Sequence, residues 1–279
     1  MTYRSILVHV DDGPHVTQRE EVAAGLAQQF PAQLVGAYLV PPRGEFSPFA
    51  NALIPPDLIE KRMTRANELQ HAAERSFREV AGASGAQLEW RAPAGDPIEA
   101  GVIHSRYADL AVLGQPVRDQ PDHAFTSELA HAMLMESGRP VLFVPYTRIE
   151  QPIGQRILIA WKDARESARA VADALPFFKD AKQVRAVTIA TEAEESLHDV
   201  LVDKQVEGFL RRHAIAAQVK RIVAADVEAG ELLLSHAADI SADLIVMGGY
   251  SRPRISQLVW GGVSRLILGS MTVPVLMSH

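Results

Sequence analysis

Ala108-Asp109-Leu110-Ala111-Val112-Leu113-Gly114 recurs as Ala242-Asp243-Leu244-Ile245-Val246-Met247-Gly248, 134 residues further on. The same spacing carries Pro140-Val141-Leu142 onto Pro274-Val275-Leu276 without a gap. Near the start, Ile6-Leu7-Val8 matches Ile157-Leu158-Ile159 at a spacing of 151, so the first copy is longer by about 17 residues. The surplus lies in a proline-rich insertion from Pro41 to Pro56. Self-similarity at a fixed spacing means that one structural unit is used twice. The units are expected at 1–148 and 153–279. The linker is read at Tyr146–Gln155, where Pro152 and Gly154 break regular structure.

Each copy alternates short apolar runs with amphipathic stretches. The strands expected are Ile6–Val10, Leu34–Val40, Gln87–Arg91, Leu110–Gly114 and Val141–Val144. Their counterparts are Ile157–Trp161, Val184–Ala190, Gln218–Val223, Leu244–Gly248 and Val273–Met277. Helices are expected at Thr17–Gln29, Pro97–Tyr107, Glu166–Phe178 and Glu228–Ile240. Ile59, Met63, Ala66, Ala73, Phe77 and Val80 share one face of a longer helix. Thr191-x-x-Glu194 has the form of a capping box. The fourth and fifth strands are almost continuously aliphatic, as in strands buried on both faces of a parallel sheet. The fold class is therefore α/β: two tandem doubly wound units, each a five-stranded, mostly parallel sheet flanked by helices in a Rossmann-like manner.

Composition narrows the functions. The net charge of −6 provides no global basic field for nucleic acid or an anionic membrane. There is no cysteine, which removes disulfides, thiolate chemistry and cysteine metal sites. No signal peptide or apolar run of membrane-spanning length is visible, so the expectation is a cytoplasmic protein.

One loop of the second copy carries recognisable chemistry. The fourth strand runs into Met247-Gly248-Gly249-Tyr250-Ser251-Arg252-Pro253-Arg254, and the chain then reaches Trp260-Gly261-Gly262-Val263-Ser264-Arg265. Glycine lets an anion approach the backbone closely, and a helix start offers free N–H groups and a favourable dipole. Gly261, Gly262, Val263 and Ser264 would present successive donors, and Arg252, Arg254 and Arg265 would add charge. The same residues also fit simple turn punctuation with solvated arginines.

The repeat resembles the universal stress protein family in a tandem two-domain form. Nucleotide-binding members carry Gly-x2-Gly-x9-Gly-Ser/Thr; here the spacing is kept as Gly248-x2-Ser251-x9-Gly261-Gly262. Ser251 replaces a glycine, and Gly262 replaces the hydroxyl residue. The resemblance implies ATP or another adenine nucleotide in the second copy. It places Ala160, Trp161, Lys162 and Asp163 at the base and ribose, with Lys162 where an acid is common. Ile189 would flank the base. Independently of the resemblance, Asp163 or Asp226 could help to hold Mg²⁺ beside a bound triphosphate. The family commonly pairs through the fifth strand; the two copies would then form an intrachain pseudo-dimer, or Val141–Val144 and Val273–Met277 would join a second chain.

The first copy lacks this loop. Gly248, Ser251, Gly261 and Gly262 become Gly114, Val117, Ser127 and Glu128, and Pro116 and Pro121 remove N–H donors. Glu128 is expected at the start of the last helix, capped by Thr126 or Ser127, where its carboxylate repels an anion. No nucleotide is expected there. Neither a P-loop nor a Gly-x-Ser-x-Gly elbow occurs, and the histidines lack metal-site spacing. No catalytic residue is assigned; a slow ATPase is the most that this pattern allows. The leading reading is a regulatory nucleotide-binding protein with an unidentified protein partner. The alternative is a nucleotide-free interaction scaffold.

Overall fold

The computed structural model describes residues 2–41, 55–149, 152–190, 197–223, 228–249 and 261–279. The first half comprises β1 (Ser5–Val10), α1 (Val16–Gln29), β2 (Gln33–Tyr38), α2 (Pro56–Gly82), β3 (Leu88–Arg91), α3 (Pro97–Ser105), β4 (Leu110–Gly114), α4 (His123–Glu136) and β5 (Val141–Val144). The second comprises β6 (Arg156–Trp161), α5 (Arg165–Asp173), α6 (Leu175–Phe178), β7 (Gln183–Ala190), α7 (Leu197–Arg212), β8 (Ala217–Val223), α8 (Ala229–Asp239), β9 (Leu244–Gly248), α9 (Gly262–Ser270) and β10 (Val275–Ser278).

The ten strands form one sheet in the order β3-β2-β1-β4-β5-β10-β9-β6-β7-β8. Within each half all pairings are parallel; only β5 and β10 run antiparallel. Ten strands fit two tandem units of the expected class. Strand side chains alternate between two apolar layers. Ile6, Val8 and Val10 pack with residues of α1, α2, α5 and α7, while Leu7, Ala111 and Leu113 pack with α3, α4, α8 and α9.

The join between the halves is symmetric about one residue pair. Leu142 faces Leu276, Val141 faces Met277 and Phe143 faces Val275. Since Leu276 is the repeat equivalent of Leu142, a pseudo-twofold axis passes through that pair. Each of these strands has a neighbour on both sides, so neither offers a free edge to a second chain. Tyr3, Phe30 and Phe177 reinforce the join, with edge-on rings 5.0–5.7 Å apart. Tyr3 Oη donates to the Asp173 carbonyl at 2.6 Å. Aromatic contacts of this kind add about 0.5–1.5 kcal/mol each beyond area burial.

The repeated aspartate has a structural task. Asp109 accepts from the backbone N–H groups of Arg4 and Ser5, and Asp243 from those of Gly154, Gln155 and Arg156. It anchors the first strand of each unit beside the fourth. Several expected boundaries move by one or two residues, and two changes fall at prolines. The helix expected over Glu166–Phe178 breaks into α5 and α6, because Pro176 cannot donate to the preceding turn. The last strand starts at Val275 rather than Val273, after Pro274, which has no ladder N–H to give. The capping box at Thr191 and Glu194 lies outside the described residues.

Candidate functional site

The topology creates one switch point in each half. From β6 the chain winds outward through β7 and β8, then returns to the other side at β9. The carboxyl ends of β6 and β9 therefore flank a crevice, the usual ligand position in open α/β sheets. Ala160 of β6 pairs in register with Met247 of β9, and Gly248 pairs with Ser278. Trp161 follows Ala160, and Lys162 and Asp163 form the exposed turn into α5. Ile189 lies on β7, paired with Ile222. Ser251 and Arg252 lie outside the described residues, as do Arg254 and Asp226.

Gly248 is held against α5. A Cβ there would fall 2.8 Å from the Glu166 backbone carbon and from the Ser167 nitrogen. The Ser167 hydroxyl accepts from the Lys162 N–H at 3.1 Å, which ties the β6–α5 turn to the same helix start. Backbone cannot retreat cheaply, so Gly248→Ala is expected to cost about 2 kcal/mol, as overpacked cores do. A fall in thermal midpoint checks this; an unchanged midpoint would refute the close packing.

Helix α9 begins at Gly262, with Gly261 as its cap at φ −58° and ψ 152°. Glycine has no side chain to accept from the first N–H groups, which an α-helix leaves without intrahelical partners. The first backbone bond runs from Arg265 N to Gly261 O at 2.9 Å. Gly262 is exposed, and a Cβ on it would meet nothing within 4 Å. Val263 is half-buried and Ser264 is buried. Trp161 lines an open groove with Val202, Val206 and Phe209 of α7, and Asp163 and Arg212 stand at its rim. Its indole Nε1 is buried without a hydrogen bond.

The equivalent crevice of the first half, between β1 and β4, is filled differently from expectation. Helix α4 starts at His123, more than a turn before Glu128. No glycine interrupts His123–Glu128, so the helix continues through it. Ser127 and Glu128 therefore do not cap or block the helix start; Glu128 lies on the flank facing α3. Arg19 of α1 projects into the crevice instead and narrows it to a pocket lined also by His9, Asp11, Gly114 and Tyr146. Its guanidinium Nη1 lies 2.5 Å from where a Gly114 Cβ would be. Nε donates to the His9 carbonyl at 2.5 Å, and Nη2 pairs with Asp11 at 2.9 Å. Burial favours the neutral Asp11 carboxyl, but Arg19 and His9 overcome it and hold its pKa down to about 2. His9 is pushed down to about 4 by burial and then by Arg19, so it is neutral near pH 7, with Nε2 2.7 Å from the Leu39 carbonyl. The residue 151 positions after Arg19 is Ala170. That substitution, an arginine at a buried small position, was the overlooked signal.

The halves also lock each other's site. A Cβ on Gly249 would lie 2.6 Å from Leu134 Cδ2, and Gln115 Nε2 donates to the Leu268 carbonyl at 2.8 Å. Gln115 and Gly249 are repeat equivalents, as are Leu134 and Leu268. Each strand-four end therefore abuts the last helix of the opposite half.

Against this geometry, comparison with known proteins is specific. The sequence profile of the universal stress protein family matches residues 154–279. A universal stress protein from Archaeoglobus fulgidus DSM 4304 superposes with a TM-score of 0.73 at 16% identity, over 98% of this chain and 97% of that one. A putative universal stress protein from Pseudomonas aeruginosa UCBPP-PA14 does so with a TM-score of 0.58 at 16% identity, over 99% and 93%. No curated protein sequence matches the chain. Residues 154–279 are thus similar to the universal stress protein family, and over its whole length the chain shares the fold of these two structures. Among the described residues no helix is long and apolar enough to cross a membrane.

Proposed function

We propose that this protein binds ATP or a related adenine nucleotide once per chain, in a C-terminal unit spanning 153–279. The observation that carries the reading is the glycine-capped start of α9, following a strand whose end flanks the switch point. Backbone N–H groups and the helix dipole there suit a phosphate. Trp161 and the apolar residues of α7 offer a surface for a base, and Lys162 carries a cation on the adjoining turn into α5. The N-terminal unit, 1–148, keeps the fold and gives its crevice to Arg19. Occupancy would act by favouring one conformation for an unidentified protein partner in the cytoplasm, since a ligand shifts an equilibrium only by its differential affinity. We assign no catalytic step.

Isothermal calorimetry with ATP, ADP and AMP tests the proposal. Saturable binding of one nucleotide per chain is expected. No heat with any of the three at millimolar concentration would favour the nucleotide-free scaffold instead.

A further inference from the structure

A groove runs between α3 and α4 of the first half, on the flank away from both crevices. Ile98, Val102, Ile103 and Ala132 form its floor, and Asp96, Glu99, Glu128 and Glu136 its rim. Ile103 is 41% exposed, a large apolar side chain with no cover. Arg106 is the one cation lining the groove, and its guanidinium reaches the Glu136 carbonyl rather than a carboxylate. Among the described residues no ion pair neutralises Glu99, Glu128 or Glu136.

The second half provides an internal comparison. There the helices close over the same place: a Cβ on Gly230 would lie 2.9 Å from Leu266 Cδ2. Leu266 is the repeat equivalent of Ala132, at the spacing of 134. In the first half the close crossing lies one turn away, where a Cβ on Gly101 would fall 2.7 Å from Leu129 Cδ1. That shift opens the groove. The acidic rim is also particular to this half, because Glu128 and Glu136 stand where the second half has Gly262 and Ser270. One helix pair is thus closely packed at this point, and its twin leaves an open groove with an acidic rim.

We infer that the α3–α4 groove is a docking site for a basic amphipathic helix of a partner protein. The floor is about 13 Å long, the length of α3, which suits two to three helical turns. Leucine-sized anchors at i, i+3, i+4 and i+7 would enter between Ile98, Ile103 and Ala132, as in other helix-in-groove complexes. Lysines beside them would meet the four carboxylates, which orient the helix and speed its encounter.

The test uses the full-length chain and a synthetic peptide with leucines at that spacing and lysines elsewhere. A scrambled peptide of the same composition is the control. The patterned peptide is expected to bind, shifting amide resonances of α3 and α4. Ala132→Leu, which copies Leu266, should weaken it by about tenfold or more, a loss of one anchor. Ile103→Ser, at an exposed position, should do the same without disturbing the core. Glu128→Gln with Glu136→Gln should flatten its salt dependence. Equal binding of the scrambled peptide, resonance shifts elsewhere, or unchanged affinity in both floor variants would overturn the proposal. So would self-association of the chain that Ala132→Leu abolishes, since the occupant would then be a second copy.

Discussion

Glu20→Leu is expected to stabilise the protein, and by more at pH 8.5 than at pH 5. Glu20 lies on α1 with no exposed surface, and neither carboxyl oxygen has a hydrogen-bond partner. Burial dominates, with Arg19 opposing and Asp11 adding to it, and the carboxyl pKa is pushed up to about 7 from 4.5. The sign follows from proton counting. Between pH 4.5 and 7 the unfolded chain has lost this proton while the folded chain keeps it. Stability therefore falls as pH rises through that window, and the full penalty persists above pH 7. At about 1.4 kcal/mol per pKa unit the penalty is about 3 kcal/mol. The repeat equivalent of Glu20 is Val171, buried in the apolar cluster, so the second half already holds the apolar solution. Denaturant midpoints at the two pH values measure the gain. Destabilisation by Glu20→Leu at pH 8.5 would mean that the carboxylate has a compensating partner.

Gly262→Glu is expected to abolish nucleotide binding and leave the fold intact or slightly firmer. The position is exposed, its Cβ direction is open, and it is the first residue of α9. An acid in the first helical turn gains about 0.5 kcal/mol from the dipole. The same carboxylate would lie within a few ångströms of the proposed phosphate. Like charges 4 Å apart repel by about 4 kcal/mol at an effective dielectric of 20, which amounts to a loss of 100-fold or more. Gly261→Glu, at a backbone conformation open to any residue, should act likewise. Calorimetry and a thermal melt on one preparation separate the two effects. Unchanged ATP affinity in a folded Gly262→Glu protein would move the ligand away from this helix.

Much of the architecture was readable in residue pattern. The repeat of Ala108–Gly114 at Ala242–Gly248 marked both central strands, and the aliphatic runs marked them as buried on two faces. The join could be read only as a choice between an internal pair and a second chain, because strand pairing depends on which edges meet. The helix starts were harder. Nothing local distinguishes Asp122 from Thr126 as the place where α4 begins, since every residue between them tolerates a helix. The difference between the two crevices was therefore read at Glu128, when the residue that projects into the first one is Arg19. That arginine is distant from the loop in sequence and reaches it only because α1 packs across the ends of β1 and β4.

The central claim is that one crevice of two accepts an adenine nucleotide, because a glycine-capped helix opens one and Arg19 projects into the other. A crystal structure of the full chain grown with saturating ATP tests this most directly. The account predicts one nucleotide, its phosphates beside Gly261 and Gly262, with Arg19 still paired to Asp11. A nucleotide beside Gly114 with Arg19 displaced, or none in either half, would contradict it.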